Sequence, residues 1–485
     1  MSWQLPSTDL ALTLLPRLVG VVYLVAFASL LVQVRGLYGS RGLLPIGAYL
    51  DRLRQNYAKD AWRLCPTLFW WSSRERALVG AALAGVLLAA FLIAGGWPLP
   101  LLLALWLLYL SFAAPGQVFL SFQWDALLLE AGFLTMILTL TGPSTLSALT
   151  AQVFIFRFML SAGVVKLTSG DPTWRNLTAL CHHYQTQPLP NRIAWYLHQL
   201  PRPLQRFSTL ASFFFELAAP LLLLGPAPLR LTGCLLLIFF QGLLLMSGSY
   251  GFFNLLTIVL CVPLLDDRYL APLLPWLEAA APAAPSVMLF GGALLLALLL
   301  LNILQLLRLF LRPRWLEPLF ARLSPWWISN SYGLFAVMTT QRLEFVIEGS
   351  ADGQTWQPYA FRWKPGDPTQ PPRQAAPHMP RLDWQMWFAA LEPGRIVPWL
   401  EILLQRLLEG EPKVLSLLGK PSFDEPPDRV RLRLYDYRFS TSAERRQAGL
   451  WWQRTLAGTG PALRLARDGD GLEETAADAH KGFRA

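Results

Sequence analysis

Residues 151–191 read AQVFIFRFMLSAGVVKLTSGDPTWRNLTALCHHYQTQPLPN, an apolar helix that runs into the densest group of polar and aromatic residues in the chain. The first half, 152–167, is apolar enough to enter a bilayer but contains Arg157 and Lys166. Ionisable groups at membrane depth cost free energy, so both are candidates for a function. The second half begins with Asp171 before a proline, a helix-start signal, and ends in the helix-breaking run QPLP. We therefore expect the functional region where this helix meets the following loop.

The composition is that of a polytopic membrane protein. Of the 485 residues, 54% are hydrophobic and only 15% charged, the mean hydropathy is +0.38, and several apolar runs approach the length of a membrane span. The first nine residues contain no Lys or Arg, so the first helix is predicted to be a retained anchor rather than a cleaved signal.

Nine apolar segments predict eight to nine membrane spans within a transmembrane domain, 1–312. Two long connections, 33–76 and 168–208, fall on one side of the membrane together with everything after 312. Segments shorter than about 17 residues can be re-entrant, which leaves the count open by one or two. The predicted segments are 10–32, 77–95, 99–113, 125–141, 150–167, 209–225, 229–247, 251–265 and 286–311.

Beyond the last span the pattern changes to that of a soluble, mainly β domain, 313–466. Apolar and polar residues alternate at 342–348, 356–363 and 430–437, which predicts half-buried strands. Helical spacing at 398–409, followed by Gly410, predicts a helix inserted between strands. The tail, 467–485, is acidic and rich in Ala and Gly, and we expect it to be disordered.

The acidic residues of the fourth span do not form a catalytic pair. Asp125 and Glu130 are five residues apart, about 140° around a helix, so they do not share one face. Glu130 is predicted to neutralise Arg157 of the next helix, because buried charges in lipid usually pair. Asp125 either pairs with Lys166 or caps the span.

The loop after Lys166 supplies the remaining site candidates. His182, His183 and Tyr184 are predicted to line an interfacial pocket. Cys181 beside the histidines suggests a metal, but adjacent helical residues point about 100° apart and no second ligand cluster follows, so we expect no metal or other cofactor. A disulfide between Cys65 and Cys181 stays open. Further pocket or loop candidates are Asp171, Trp174, Thr186, Gln187, Asn191, Tyr250 and Asn254. Tyr250 and Asn254 are predicted to share one helix face, where they either pack against neighbouring helices or contribute to the pocket.

Several function classes lack the required motifs. The sequence has no Gly-x-Ser-x-Gly elbow, no Walker loop and no Rossmann fingerprint, which leaves hydrolase, ATPase and dinucleotide-enzyme readings unsupported. The net charge is +10 with a pI near 9.6, and the excess lies beside membrane spans. That placement suits anionic membrane lipids, and we expect no nucleic-acid partner.

Six sequence blocks together resemble the lipase maturation factor family. They are GLYG at 36–39 with GLLP at 42–45, FQWDALLLE at 122–130, TQPLPN at 186–191 within the opening stretch, YGFFNLLT at 250–257, YGLF at 332–335 and PRLDWQMWFAAL at 380–391. The chain departs from the family where HHYQ, 182–185, replaces a usual Tyr-His-Tyr-Glu run, and where Ser249 replaces a usual Asn. A pairing made by the missing carboxylate is therefore in question here.

The resemblance implies a chaperone-like, non-enzymatic protein that assists folding and assembly of secreted lipases. It also implies the endoplasmic reticulum membrane or the bacterial inner membrane, with the C-terminal domain lumenal or periplasmic. Charge argues for the opposite orientation, since 33–76 contains eight basic and three acidic residues and would be cytoplasmic by the positive-inside rule. That rule weakens for long loops, so we adopt the family orientation.

A more distant resemblance supplies an alternative function. The helix end AGVVKL, 162–167, followed by Trp174, is similar to vitamin K-dependent gamma-carboxylase, in which a lysine at the Lys166 position is the active-site base. The alternative is an integral-membrane, carboxylase- or oxygenase-like enzyme acting on a lipid-soluble substrate, with Lys166 as base and His183 as second catalytic candidate. A desolvated lysine suits such chemistry. Equally, Lys166 could extend from a helix end to the headgroups.

The segment 381–388 is the candidate for client binding. Arg381, Asp383, Trp384 and Trp387 combine aromatic and charged side chains of the kinds that interfaces use. The competing interpretation is that they are buried and anchor the domain to the membrane part.

Overall fold

The computed structural model describes residues 7–279, 284–420, 423–466 and 471–474. A bundle of helices is followed by a smaller domain with a sheet. Within the described residues the bundle helices are α1 (Asp9–Leu31), α2 (Glu75–Ile93), α3 (Pro98–Ala113), α4 (Gln123–Thr141), α5 (Thr145–Thr168), α6 (Arg202–Phe213), α7 (Ala227–Ser247), α8 (Phe253–Cys261) and α9 (Pro285–Leu311).

Six helices in the described part, α1, α2, α4, α5, α7 and α9, are long and apolar enough to cross a membrane. Helices α3 and α8 are shorter and apolar. The predicted span 209–225 is not one regular helix, because α6 passes through a π-helical turn, Phe214–Ala218, before Ala219–Leu222. A multi-pass bundle is thus confirmed, while the count of eight to nine spans stays a prediction.

The turn between α4 and α5 reverses the direction of the chain, and α9 packs against both helices. Gly142 ends α4 at φ +68°, a left-handed conformation that glycine adopts without strain. The side chain of Ser144 then accepts the N–H of Ser147 at 3.1 Å and caps α5. This short connection brings Glu130 on α4 within reach of Arg157 on α5.

The connections divide between the two ends of the bundle. At one end the Asp267 carboxylate accepts the N–H groups of Asp9 and Leu10 at 2.8 and 3.0 Å, which ties the start of α1 to the segment after α8. At the other end lie both long connections and the C-terminal domain. Besides Ala219–Leu222, the described residues include the short helices Val34–Tyr38, Ile46–Tyr57, Ala61–Leu64, Pro172–Arg175, Ala179–Thr186, Arg192–His198, Asp267–Leu270, Glu317–Leu323, Pro412–Leu415 and Ser442–Ala448.

The C-terminal domain contains an antiparallel sheet. Its strands in the described residues are β1 (Arg342–Ser350), β2 (Gln357–Pro358), β3 (Arg429–Phe439), β4 (Trp452–Thr459), β5 (Leu463–Leu465) and β6 (Leu472–Glu474). The strand order is β2-β1-β3-β5-β6, and β4 also pairs with β3. The long central pair runs in register from Arg342 opposite Tyr437 to Ser350 opposite Arg429. The strands predicted at 342–348 and 430–437 are confirmed.

Helices beyond the one that was predicted correct the expectation of a mainly β domain. Helix α10 (Arg381–Leu391) was not predicted, whereas α11 (Pro398–Leu408) confirms the helix expected at 398–409. The strand expected at 356–363 is reduced to Gln357–Pro358. The domain is therefore a small sheet covered by helices rather than a β sandwich.

Most of the tail predicted to be disordered lies outside the described residues. Within it, 471–474 are described, and β6 pairs with β5 there. The sheet thus extends into the first part of the predicted tail, and disorder is the wrong expectation for that segment.

A single hydrophobic core runs from the bundle into the domain. The largest buried cluster includes side chains of α1, α4 and α5 together with those of α10, α11 and β1. A second cluster joins Tyr184 and Trp195 of the long connection to Tyr437 and Trp452 of the sheet. The domain is consequently docked on the end of the bundle that holds both long connections.

Candidate functional site

A cavity of about 940 Å³ lies where α5, α6 and α7 meet the connection after Lys166. Six of the residues predicted from the sequence line it: Lys166, Trp174, His183, Tyr184, Tyr250 and Asn254. Its walls are otherwise mostly aromatic and aliphatic, with Phe158, Phe213, Phe214, Phe215, Phe240 and Phe335 among them. A largely apolar cavity with a few convergent polar groups has the character of a ligand-binding site.

Lys166 forms a buried ion pair with Glu216. Its Nζ donates to both carboxylate oxygens at 2.6 and 2.7 Å and lies 5.3 Å from the centre of the Trp174 ring. The π-helical turn of 214–218 directs Glu216 inward, and such turns are frequent at functional sites. Both hydrogen bonds of the Lys166 amine to Glu216 lie inside the protein, and the burial of Lys166 contradicts the interpretation that it extends to lipid headgroups.

His183, Tyr250 and Gln187 form a directed hydrogen-bond chain. The Gln187 Nε2 donates to the carbonyls of Tyr184 and Ser247, which leaves its Oε1 to accept from the Tyr250 hydroxyl at 2.6 Å. The Tyr250 oxygen must then accept from His183 Nε2 at 2.9 Å. The chain therefore places a proton on Nε2, and Nδ1 has no partner in the described residues, which favours the neutral ring with an unprotonated Nδ1. Burial, with the charge of Lys166 second, lowers the pKa of His183 to about 4.

Asn254 on α8 and Gln241 on α7 form a second polar pair at the cavity. Asn254 Nδ2 donates to Gln241 Oε1 at 2.8 Å, Asn254 Oδ1 has no partner in the described residues, and Gln241 Nε2 faces only the Met159 sulfur at 3.9 Å. Tyr250 precedes α8, so the prediction that it shares a helix face with Asn254 is wrong. The two residues nevertheless line the same cavity.

The acids of α4 lie outside the cavity and join the bundle to later segments. Glu130 pairs with Arg157 at 2.5 Å, which confirms that prediction, and it also accepts the N–H of Asn330 at 2.9 Å. Asp125 does not reach Lys166. It accepts two bonds from Arg381 at 2.8 and 2.9 Å instead, which corrects both alternatives given for it.

The rest of the predicted loop has structural contacts. Asp171 accepts the N–H groups of Thr173 and Met338 at 2.8 and 2.5 Å, and Asn191 caps the next helix through the N–H of Ala194. The Thr186 carbonyl accepts from Trp387 Nε1 at 2.9 Å. These contacts fix the loop against the C-terminal domain.

His182 does not line the main cavity. With Cys181, His198, Arg202 and Arg206 it borders a second, more open cavity on the outside of the long connection. In the described residues no group of three or more His, Cys, Asp or Glu side chains is arranged to hold a metal. Cys65 and Cys181 are both free thiols, so the disulfide is not formed.

The four client-binding candidates are buried. Arg381, Asp383, Trp384 and Trp387 are at most 7% exposed, and nine of the eleven residues of α10 are buried. Asp383 accepts the N–H groups of Trp363 and Lys364 at 2.9 and 3.0 Å. The anchoring interpretation is therefore correct for this structure, and the segment is not an exposed client surface.

Two residues of the cavity were missed by the sequence argument. Glu216 is the single acid within the apolar segment 209–225, and Gln241 is an amide within an apolar span. The rule that polar groups at membrane depth have a partner or a function would have selected both.

Comparisons with known proteins cover both parts of the chain. The family model described as lipase maturation factor transmembrane domain matches residues 10–272, and the one described as lipase maturation factor C-terminal domain matches 328–460. Lipase maturation factor 1 of Bos taurus is 36% identical, over 91% of this chain and 86% of the relative. Lipase maturation factor 2 of Mus musculus is 34% identical, over 90% of this chain and 80% of the relative. No solved structure matches.

Proposed function

Because this chain belongs to the lipase maturation factor family, we propose that it is a multi-pass membrane protein that assists the folding and assembly of secreted lipases. The similarity over both domains is the observation that carries this proposal. The client class follows from the names of the relatives, and the lipase itself is expected to be a protein secreted by the same cell.

The bundle crosses the membrane up to nine times in this proposal. The six long helices span it, and α3, α8 and the broken helix that begins with α6 add the remaining crossings. The connections support this arrangement, since consecutive helices of the bundle begin and end at alternating ends. Exposed Trp71 and Trp315 at one end and Trp97 and Trp276 at the other suit the aromatic belts of a spanning protein.

The end that holds the C-terminal domain faces away from the cytoplasm, in the periplasm of bacteria or the lumen of the endoplasmic reticulum. Secreted lipases fold in that compartment. The basic connection 33–76 opposes this orientation by the positive-inside rule, but it is folded rather than free. Arg41 pairs with Glu411 of the C-terminal domain at 2.9 Å, and Glu75 pairs with Lys413 at 2.5 Å. The rule is weaker for such folded connections.

Clients are expected to contact the outer surface of the docked domain and the long connections, because the segment 381–387 is buried. Membrane lipids surround the bundle. We propose no catalysis in maturation: Lys166 is occupied by Glu216, which disfavours the alternative of an enzyme with Lys166 as base.

The test is co-expression with a secreted lipase in cells that lack this protein. The readout is lipase activity per mass of secreted lipase, with a secreted enzyme of another class as control. The chain is expected to raise the specific activity of the lipase alone, and equal specific activity with and without it would refute the function. The double variant K166M/E216L replaces the ion pair by two apolar side chains, so the amine is removed and no charge is left unpaired. It is expected to support maturation, whereas a folded, inserted but inactive double variant would favour chemistry at Lys166.

A further inference from the structure

The large cavity is open to the side of the bundle between α6 and α7. Phe207, Leu210, Phe214, Phe239 and Leu243 line the cavity and are also exposed, at 66, 52, 47, 57 and 43% respectively, so they form its mouth. Helix α7 is one of the six described helices that are long and apolar enough to cross a membrane, so we expect the mouth to face the bilayer. A ligand would enter from the bilayer.

The inner end of the cavity carries specific hydrogen-bonding groups. His183 Nδ1 is an acceptor without a partner, because the chain through Tyr250 and Gln187 fixes the proton on Nε2. Asn254 and Gln241 are 0 and 2% exposed. Each side-chain amide has a carbonyl oxygen and an NH2 group, and the two amides use one of each to bind each other. The other carbonyl oxygen and the other NH2 group have no strong hydrogen-bond partner in the described residues, and this holds for either orientation of the two amides. A buried polar group without a partner requires an explanation, and at the wall of a cavity a bound molecule or water is one.

The charge of the cavity selects a neutral ligand. Lys166 and Glu216 neutralise each other through two short bonds, so the ammonium is not available to a phosphate or carboxylate. Arg202 and Arg206 line the adjoining outer cavity, which shares Phe207 and Leu210 with this one, but they do not line the large cavity itself. The ligand must therefore provide a hydroxyl donor for His183 and a carbonyl acceptor for the amide pair. A quinone offers carbonyls alone and would leave His183 unpaired.

We propose that this cavity binds one neutral glycerolipid with a free hydroxyl group, a mono- or diacylglycerol taken from the bilayer. The hydroxyl donates to His183 Nδ1, the ester carbonyl accepts from the amide pair of Asn254 and Gln241, and an acyl chain lies along Phe240 and Leu243. The volume of about 940 Å³ is at the upper end of the roughly 300–1,000 Å³ of ligand pockets. The proposal concerns a bound lipid and holds whether or not the chain matures lipases.

The experiment uses the full-length protein in phosphatidylcholine nanodiscs that contain a trace of photoreactive lipid. Diacylglycerol, phosphatidic acid, phosphatidylcholine and an isoprenoid quinol, each with a diazirine, are compared at equal amounts, and labelled peptides are mapped by mass spectrometry. Diacylglycerol is expected to label peptides of 207–215 and 239–254 in preference to the other three. Equal or stronger labelling by phosphatidic acid, phosphatidylcholine or the quinol would overturn the proposal, as would no labelling.

Variants separate the polar contacts from the mouth. His183→Phe is expected to reduce diacylglycerol labelling about tenfold, the value of one buried hydrogen bond. Leu243→Trp, at an exposed position of the mouth, is expected to abolish labelling without disturbing the fold. Leu235→Trp is the matched control, since Leu235 is also exposed on α7 but does not line the cavity. If the control and Leu243→Trp label alike, the lipid binds elsewhere on the surface.

Discussion

The ion pair between Asp125 and Arg381 is predicted to hold the C-terminal domain on the bundle. Both side chains are fully buried, and the guanidinium makes two parallel bonds to the carboxylate at 2.8 and 2.9 Å. The Phe119 carbonyl and the Tyr109 hydroxyl complete the site. Asp125→Asn keeps the shape and the contact with Tyr109 but removes the charge that compensates Arg381.

The expected cost is large because the remaining charge stays buried. Removing one partner of a buried pair costs about 3–5 kcal/mol, whereas replacing both is often nearly neutral. Asp125→Asn and Arg381→Met should each fall in that range, and the double variant D125N/R381M should be more stable than either. An exposed pair contributes only about 0–1 kcal/mol. Arg308 and Glu317, with side chains 29 and 53% exposed, provide that comparison through Glu317→Gln.

The assay is equilibrium unfolding in mixed micelles, followed by tryptophan fluorescence and by the reactivity of the buried thiols Cys65, Cys234 and Cys261. The four proteins and Glu317→Gln are compared at one pH and lipid composition. Two results would refute the reasoning. One is that Asp125→Asn lowers the free energy of unfolding no more than Glu317→Gln does. The other is that the losses in the two single variants simply add in the double variant.

Three further predictions concern other buried contacts. Glu216→Leu should destabilise the protein by about 3–5 kcal/mol because it leaves Lys166 buried and unpaired. The double variant K166M/E216L should recover most of that loss, and equal melting temperatures for Glu216→Leu and K166M/E216L would contradict this. Lowering the pH from 6.5 to 4 should weaken folding by up to about 3 kcal/mol through His183, since the unfolded imidazole binds a proton that the folded one, with its pKa near 4, does not. Burial also lowers the pKa values of His198 and His378 to about 4, so His183→Phe should remove only part of that slope, and an unchanged slope would exclude His183 as a source. Trp387→Phe should lower the free energy of unfolding by about 1 kcal/mol, because the hydrogen bond to the Thr186 carbonyl is lost. The control Trp315→Phe, at an exposed position, should cause no change. An equal shift of the melting temperature in both variants would show that the hydrogen bond contributes nothing.

The sequence predicts local pairs of charges well and distant ones poorly. Glu130 and Arg157 lie on consecutive helices joined by a short turn, so the requirement that buried charges pair left few alternatives. Lys166 and Glu216 are 50 residues apart, and a π-helical turn shifts the direction in which Glu216 points. No regular helical period predicts that direction. Asp125 and Arg381 are 256 residues apart, and their pairing depends on how the domain docks.

Helix α10 was missed because it lacks a polar face: its exposed residues, Phe388 and Leu391, are apolar. Sequence periodicity detects a helix through alternation between an apolar and a polar side. Helix α10 packs on the bundle through Trp384 and on the long connection through Trp387, and it places Arg381 and Asp383 in buried polar contacts. Apolar and aromatic residues therefore occur on every side of the helix, and its charged residues lie on the buried side, where a helix of a soluble protein would have none. The same burial explains why its residues looked like an interaction surface: they form one, but within the chain.

The docked arrangement restricts how a client can be recognised. Exposing α10 to a client would require breaking the pair of Asp125 and Arg381, at a cost of about 3–5 kcal/mol if one charge stays buried. Each 1.4 kcal/mol is about a factor of ten, so the undocked form would be roughly a hundredth or less of the molecules. The bonds of Asp171 to the Met338 N–H and of Arg342 to the Pro188 carbonyl would lower that fraction further. We therefore expect a client to encounter the docked form and to contact the surfaces that docking leaves exposed.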